Sequence, residues 1–221
     1  MLLAIDTATQ TTGVCLEDGE AIVAEHVWRS ERYHTVELAP EVALILQRNQ
    51  VAIEELEAVA VASGPGSYTG LRIGMALAKG IALARHIPLV GVPTLDILAR
   101  AQPPCEERML ALIQAGRGRY AGVWYKWGAS AWKADGKPVG LSWDELVAAF
   151  ESPAFVSGEL GEKERQRLSK ISGVTLADPA LSLRRPSYLA EIARARLRSK
   201  KKEADPASLV PTYLGDLTAA S

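Results

Sequence analysis

Ten residues, Ser63-Gly64-Pro65-Gly66-Ser67-Tyr68-Thr69-Gly70-Leu71-Arg72, restrict the fold of this chain more than any other stretch. They follow a short apolar run, Ala58 to Ala62, and lead into a helical pattern from about Leu71 to Arg85. A strand, a glycine loop and a helix in that order make the backbone turn tightly and approach a neighbour closely. They also leave the free amides of a helix start pointing at an anion or a partner group. The loop is not a P-loop, because no Gly-Lys-Ser/Thr closes it. Its glycines have the wrong spacing for a dinucleotide fingerprint, and no acid follows about 20 residues on. Ser67 lacks the flanking pattern of a nucleophile elbow. The helix itself is rich in small residues: Gly70, Gly74, Ala76, Ala78, Gly80, Ala82 and Ala84. An interior glycine costs up to about 1 kcal/mol relative to alanine. This run therefore predicts close approach of another backbone, either within the domain or from a second subunit.

The chain opens with a second informative turn. Leu2 to Ile5 reads as a buried strand, and Asp6-Thr7-Ala8-Thr9-Gln10-Thr11-Thr12-Gly13 follows it. An acid at the end of a buried strand, followed by hydroxyls and a glycine, is how actin-like and sugar-kinase-like ATPases bring a hairpin to nucleotide phosphates and hydrated Mg²⁺. Asp and Thr also make ordinary turns by bonding nearby backbone groups. Both readings of Asp6, Thr7 and Thr9 stand at this level.

Strands at 12–17 and 21–28 are joined by the hairpin signal Asp18-Gly19. A helix over 34–48 follows, with Leu38, Val42, Ile45 and Leu46 on one face and Pro40 in its first turns. Adding the strand at 88–92 and a short helix from Thr94 to about Arg100 gives the order β-β-β-α-β-α-β-α. That order predicts an α/β fold, a mixed sheet with helices against it. Polar, proline-rich Gln102 to Glu107 marks a boundary, so the lobes are expected at 1–101 and 107–221. The second half predicts strands at 109–114, 119–127 and 154–156 and helices at 143–150 and 187–200. It is a weak, less regular duplication of the first.

Composition narrows the partners. Of 221 residues 48% are hydrophobic, enough for a packed core. The 25 Lys and Arg balance 26 Asp and Glu, so no global field advertises nucleic acid or membrane. Cys15 and Cys105 have no metal or disulfide spacing. The start of the chain has no signal-peptide character, and the apolar stretch from Ile73 to Ala84 falls short of the roughly 20 residues of a membrane span. A soluble, cytoplasmic protein is expected.

Together, Ala4-Ile5-Asp6-Thr7-Ala8-Thr9, His34-Thr35, the loop from Gly64 to Gly74, Pro88-Leu89-Val90-Gly91-Val92 and Thr94-Leu95 resemble the TsaB family. The resemblance implies an actin-like ATPase (ASKHA, ribonuclease H-like) fold with two lobes, the second less regular. It also implies a non-catalytic, activating subunit that pairs with a catalytic TsaD-like relative. That relative transfers a threonylcarbamoyl group to adenosine 37 of tRNAs reading codons that begin with A. TsaC makes the activated intermediate, and a TsaE-like ATPase takes part. The tRNA is met through the complex, and the chain forms a homodimer when alone. The chain itself needs no cofactor, and ATP or ADP with Mg²⁺ belongs at most to the complex interface.

In such proteins the two helices at 34–48 and 71–85 build the subunit contact. His34, Leu38, Val42, Leu71, Arg72, Met75 and Ala78 are the expected interface residues here. The catalytic relative holds a metal with two histidines four apart, and the matching positions are Thr94 and Leu98, so no catalytic or metal-binding residue is expected. His26, His34 and His86 have no ligand spacing. The second half departs from the family at Gln114-Ala115-Gly116-Arg117 and at Pro211-Thr212-Tyr213-Leu214-Gly215. Arg184, Arg185, Arg194, Arg196, Arg198 and Lys200 to Lys202 form a basic cluster, read as a solvated face before a tRNA phosphate contact. Two competing functions are an independent ATP-dependent phosphotransferase, kept alive by Asp6 and its threonines, and a protease, which has no local support.

Overall fold

A computed structural model describes residues 1–30, 34–116, 118–150, 153–199, 206–213 and 215; the side chains of His34 and Thr35 lie outside the described set. The chain divides into two compact units. Unit 1 holds Met1–Thr94 and Arg185–Thr212; unit 2 holds Leu95–Arg184, and the chain returns to it at Tyr213.

Unit 1 is built on five strands, β1 (Leu2–Asp6), β2 (Thr11–Glu17), β3 (Ile22–Arg29), β4 (Ala58–Gly64) and β5 (Leu89–Pro93), in the order β3-β2-β1-β4-β5. The hairpins β1–β2 and β2–β3 are antiparallel, while β1–β4 and β4–β5 are parallel. The parallel pairs need crossovers, which helices α1 (His34–Arg48) and α2 (Tyr68–Arg85) supply. Alternation along the strands sends Leu3, Ile5, Val14, Leu16, Val59 and Val61 to the face covered by α1 and α2. Pro40 sits one turn deeper in α1 than its first turn, and removes the amide that would bond the carbonyl of Val36.

The other face presents small residues, among them Ala4, Gly13, Cys15 and Ala60. Onto it packs α6 (Pro186–Arg198), through Leu189, Ala190 and Ala193. A methyl group on Gly13 would stand 2.9 Å from Cγ of Pro186, so glycine lets the helix start come close. Glu25 of β3 accepts from the Ser187 amide at 2.7 Å and from Arg185 Nε at 2.8 Å, filling the helix N-terminus with a carboxylate. Arg194 Nε donates to Glu17 at 2.8 Å, Arg196 to the carbonyl of Gly91 at 2.6 Å and Arg198 to that of Gly19 at 2.8 Å. The basic residues of this helix are thus held by its own sheet. Lys200, Lys201 and Lys202 lie outside the described residues.

Unit 2 repeats the plan. Its strands β6 (Arg108–Gln114), β7 (Tyr120–Trp127), β8 (Trp132–Ala134), β9 (Val139–Leu141), β10 (Ala154–Gly158) and β11 (Val174–Leu176) run in the order β11-β10-β6-β7-β8, with β9 also on β7. Parallel and antiparallel pairs fall where they do in unit 1, with the third strand split into β8 and β9. Helices α4 (Trp143–Ala148) and α5 (Glu162–Leu168) stand between strands as α1 and α2 do. The expected duplication is therefore present in topology.

The division differs from the expected 1–101 and 107–221 at both ends. Helix α3 (Thr94–Arg100) follows the strands of unit 1, yet Leu95, Leu98 and Ala99 lie in a core with Met109, Ala111 and Val123 of unit 2. Helix α6 follows the strands of unit 2 and covers the sheet of unit 1. Each repeat gives its last helix to the other. Local composition at Gln102 to Glu107 marks a linker but not which sheet the flanking helices cover.

Among the described residues no helix is long and apolar enough to cross a membrane. Both cysteines are free thiols. Burial pushes the Cys15 thiol up to about 12, and the carboxylates of Glu25 and Glu17 add to the rise. Alkylation of the native chain at pH 8 is expected to label Cys105 and spare Cys15 until denaturant is added, read by mass spectrometry. A fragment of residues 1–101 is expected to lack a cooperative thermal transition, since one sheet face is bare. The same fragment with Arg185–Thr212 joined through a flexible linker is expected to recover it, as followed by circular dichroism.

Candidate functional site

The turn after β1 and the glycine loop after β4 meet. Asp6 and Thr7 are 2% and 1% exposed, and Thr9 is buried as well. The Asp6 carboxylate accepts from the amide of Ala8 at 2.9 Å, and the Thr9 hydroxyl accepts from the amide of Thr11 at 3.2 Å. The Thr7 hydroxyl donates to the carbonyl of Gly70 at 2.7 Å, and the Ser67 amide donates to the carbonyl of Ala8 at 2.6 Å. Ser67 also caps α2 by accepting from the Gly70 amide.

This contact accounts for three glycines. A methyl at Gly66 would overlap the carbonyl of Ala8, one at Gly70 the carbonyl of Thr7, and one at Gly74 the Thr7 hydroxyl. Of the two explanations for the small-residue helix, packing inside the domain holds at Gly70 and Gly74. Gly80 differs: nothing lies within 4 Å of a methyl placed there.

The turn that would cradle a phosphate is thus closed by the chain's own helix. Asp6 and Thr9 accept from amides of their own turn, and the loop from Gly66 to Gly70 lies against Thr7 and Ala8. The Thr7 hydroxyl and the Ala8 carbonyl are taken up by the chain's own loop and helix.

Helices α1 and α2 lie against each other, and the structure corrects which of their residues can meet a partner. Leu38, Val42, Met75 and Ala78 belong to the core of unit 1, and Leu71 is fully buried. None of these five presents a surface. Arg72 is exposed, and its guanidinium stacks 5.1 Å from the ring centre of Tyr68 while bonding the phenol oxygen. His34 begins α1, but its side chain lies outside the described residues. The outward residues are others. Val36, Tyr68 and Leu83 are 66%, 58% and 50% exposed, and Ala39, Pro40, Ala43, Ala76 and Gly80 are exposed as well. Apart from Arg72 this surface is apolar, with the small Ala76 and Gly80 between Tyr68 and Leu83 on α2. Its flank is fixed by Trp28 Nε1, which donates to Glu37 at 3.1 Å, and by His26, 2.9 Å from Glu41 and stacked on Trp28.

A family model described as "TsaD: tRNA N6-adenosine threonylcarbamoyltransferase" matches residues 22–138. The tRNA threonylcarbamoyladenosine biosynthesis protein TsaB of Bacillus subtilis is 32% identical over 96% of this chain and 93% of its own length. The chain belongs to the TsaB family. Among solved structures, YeaZ from Pseudomonas aeruginosa aligns with a TM-score of 0.77 at 25% identity, over 96% of this chain and 99% of that one. The activator of 2-hydroxyisocaproyl-CoA dehydratase from Clostridium difficile, solved with ADPNP, aligns at 0.50 and 10% identity over 92% of this chain and 99% of that one. That likeness concerns the actin-like fold alone.

Thr94 and Leu98, the positions expected to match a histidine pair of the catalytic relative, are both buried in this TsaB-family chain. Thr94 ends unit 1, and Leu98 sits in the core of unit 2. His26 is paired with Glu41, and His86 closes α2 in the left-handed conformation at φ 53°. Among the described residues no three His, Cys, Asp or Glu side chains gather as a metal site. The departing residues Gln114 and Tyr213 fall in the described chain; Arg117 and Leu214 lie outside it.

Two substitutions on one helix are expected to act oppositely. Gly74→Ala drives a methyl into Thr7 and is expected to lose about 1–3 kcal/mol. Gly80→Ala meets nothing and is expected to gain roughly 0.5–1 kcal/mol from helix propensity. Urea unfolding of both variants reads the two signs.

Proposed function

We propose that this chain is a non-catalytic subunit in the synthesis of threonylcarbamoyladenosine in tRNA, paired through the outer faces of α1 and α2 with a TsaD-like catalytic subunit. The observation that carries this reading is the division of labour along α2. Its inner face packs on the turn after β1, while its outer face runs from Tyr68 and the exposed Arg72 through the small Ala76 and Gly80 to Leu83, apolar beyond the arginine. A helix with such a stripe lets a second helix approach closely, and an apolar exposed patch on a chain of this size marks a contact. The Bacillus subtilis relative, a tRNA threonylcarbamoyladenosine biosynthesis protein, supplies the pathway. Chemistry, in this reading, belongs to the partner, and this subunit supplies a rigid docking face.

The tRNA and a TsaE-like ATPase meet this chain through the complex. ATP or ADP with Mg²⁺ is held elsewhere than at Asp6, Thr7 and Thr9. Without its partner the chain pairs with a second copy through the same face. The phosphotransferase reading is disfavoured because the Thr7 hydroxyl is already committed to the Gly70 carbonyl and the curated relatives belong to tRNA modification.

Purified TsaD-, TsaC- and TsaE-like proteins, tRNA, ATP, threonine and bicarbonate are combined with or without this chain, and modified nucleoside is quantified by mass spectrometry. Modification is expected to require the chain. Gly80→Arg is expected to abolish pairing and modification while leaving the thermal midpoint near that of the wild type, since the site is open. Equal modification without the chain would sink the proposal.

A further inference from the structure

Residues Pro206–Thr212 return across unit 1 after α6 and end against the glycine loop. Pro206–Ser208 forms a single 3-10 turn beside α2, where Lys79 Nζ donates to the carbonyl of Ala207 at 2.9 Å. Leu209 packs on the core beneath α1 and α2, and its Cδ1 would stand 2.7 Å from a methyl on Gly91, in edge strand β5. The Thr212 amide then donates to the carbonyl of Ser63 at 2.8 Å. Gly64 has φ +104°, and a methyl there would overlap the Thr212 carbonyl. Only glycine accepts both that dihedral and that neighbour.

The loop before α2 is therefore gripped from two sides. Thr212 holds Ser63 and Gly64; Ala8 holds Gly66 and Ser67. Gly64 is also in register with Pro93, the last residue of β5. The chain leaves unit 1 immediately after Pro93-Thr94 and again immediately after Thr212. Both exits thus lie beside one glycine, a few residues before the cap of the proposed docking helix.

We infer that Pro206–Thr212 is a clamp that fixes the glycine loop and the exposed first turn of α2, so that releasing it weakens partner pairing; the pairing half rests on the function proposed above. A flexible first turn would have to be ordered on docking, and that ordering lowers affinity. The clamp's grip includes a backbone hydrogen bond, a lysine contact and a leucine, and it belongs to one short segment outside the sheet, which can open locally without unfolding the strands.

Thr212→Pro removes the amide that grips Ser63, and Leu209→Ala loosens the clamp at its other anchor. Val210, 71% exposed, gives the control Val210→Ser. Hydrogen exchange is followed by mass spectrometry on the full chain without a partner. Peptides covering 63–72 are expected to exchange at least about fivefold faster in both clamp variants, the worth of one backbone hydrogen bond. Those covering 2–17 and the control variant are expected to match wild type. Affinity for the TsaD-like subunit, measured by interferometry, is expected to fall about fivefold or more in the clamp variants. Unchanged exchange at 63–72 in both clamp variants overturns the clamp. Faster exchange with unchanged affinity overturns its link to pairing. If wild type does not pair at all, the docking reading falls, and the exchange result alone decides the clamp.

Discussion

The contact between the Thr7 turn and the start of α2 governs unit 1. One hydroxyl bonded to the Gly70 carbonyl, with Ala8 accepting from Ser67, places a helix end directly on a β-hairpin turn. That closeness demands glycine at 66, 70 and 74, and the glycines in turn fix the rotation of α2 about its axis. With the rotation fixed, Met75, Ala78 and Ala82 must face the sheet, and Ala76, Gly80 and Leu83 must face away. The outward surface is thus a geometric consequence of the inward one. A hairpin shaped like a phosphate cradle serves here as a socket for the chain's own helix.

The two repeats follow one topology and depend on each other for a final layer. Sheet order, strand directions and helix positions correspond, yet α3 lies in the core of unit 2 and α6 on the sheet of unit 1. The small face formed by Ala4, Gly13, Cys15 and Ala60 is complementary to Pro186, Ala190 and Ala193. The carboxylates of Glu17 and Glu25 receive Arg194 and the α6 start. These polar contacts set the register of the helix, and apolar burial supplies the larger part of its adhesion.

Much of this was legible where the signal is local. Continuous apolar runs marked β1, β4 and β5, Asp18-Gly19 marked the β2–β3 turn, and the helical period placed α1 and α2. The family motifs indicated the fold. Side assignment was less accessible. Leu38, Val42, Leu71 and Met75 carry the strongest helical periodicity, and strong periodicity is the mark of the core; an outward face with Ala76, Gly80 and Val36 produces almost none. Short strands β8, β9 and β11 are too brief for an alternation to register, and α5, Glu-Lys-Glu-Arg-Gln-Arg-Leu, buries only its last residue. The arginines of α6 looked like a surface cluster because their acceptors, Glu17, Gly19 and Gly91, lie more than a hundred residues earlier. Long-range pairing of that kind leaves no trace in a local window.

The exchanged helices set a timetable for synthesis. When the ribosome has finished β5, unit 1 has its five strands and two helices but no cover for one sheet face. The missing helix begins only at Pro186, after all of Leu95–Arg184 has been made. At about 5–20 residues per second that interval lasts several seconds. Throughout it the nascent chain displays Leu2, Ala4, Cys15 and Ala60 to solvent, a ready surface for a holding chaperone. The first half of the gene product thus waits on the last quarter.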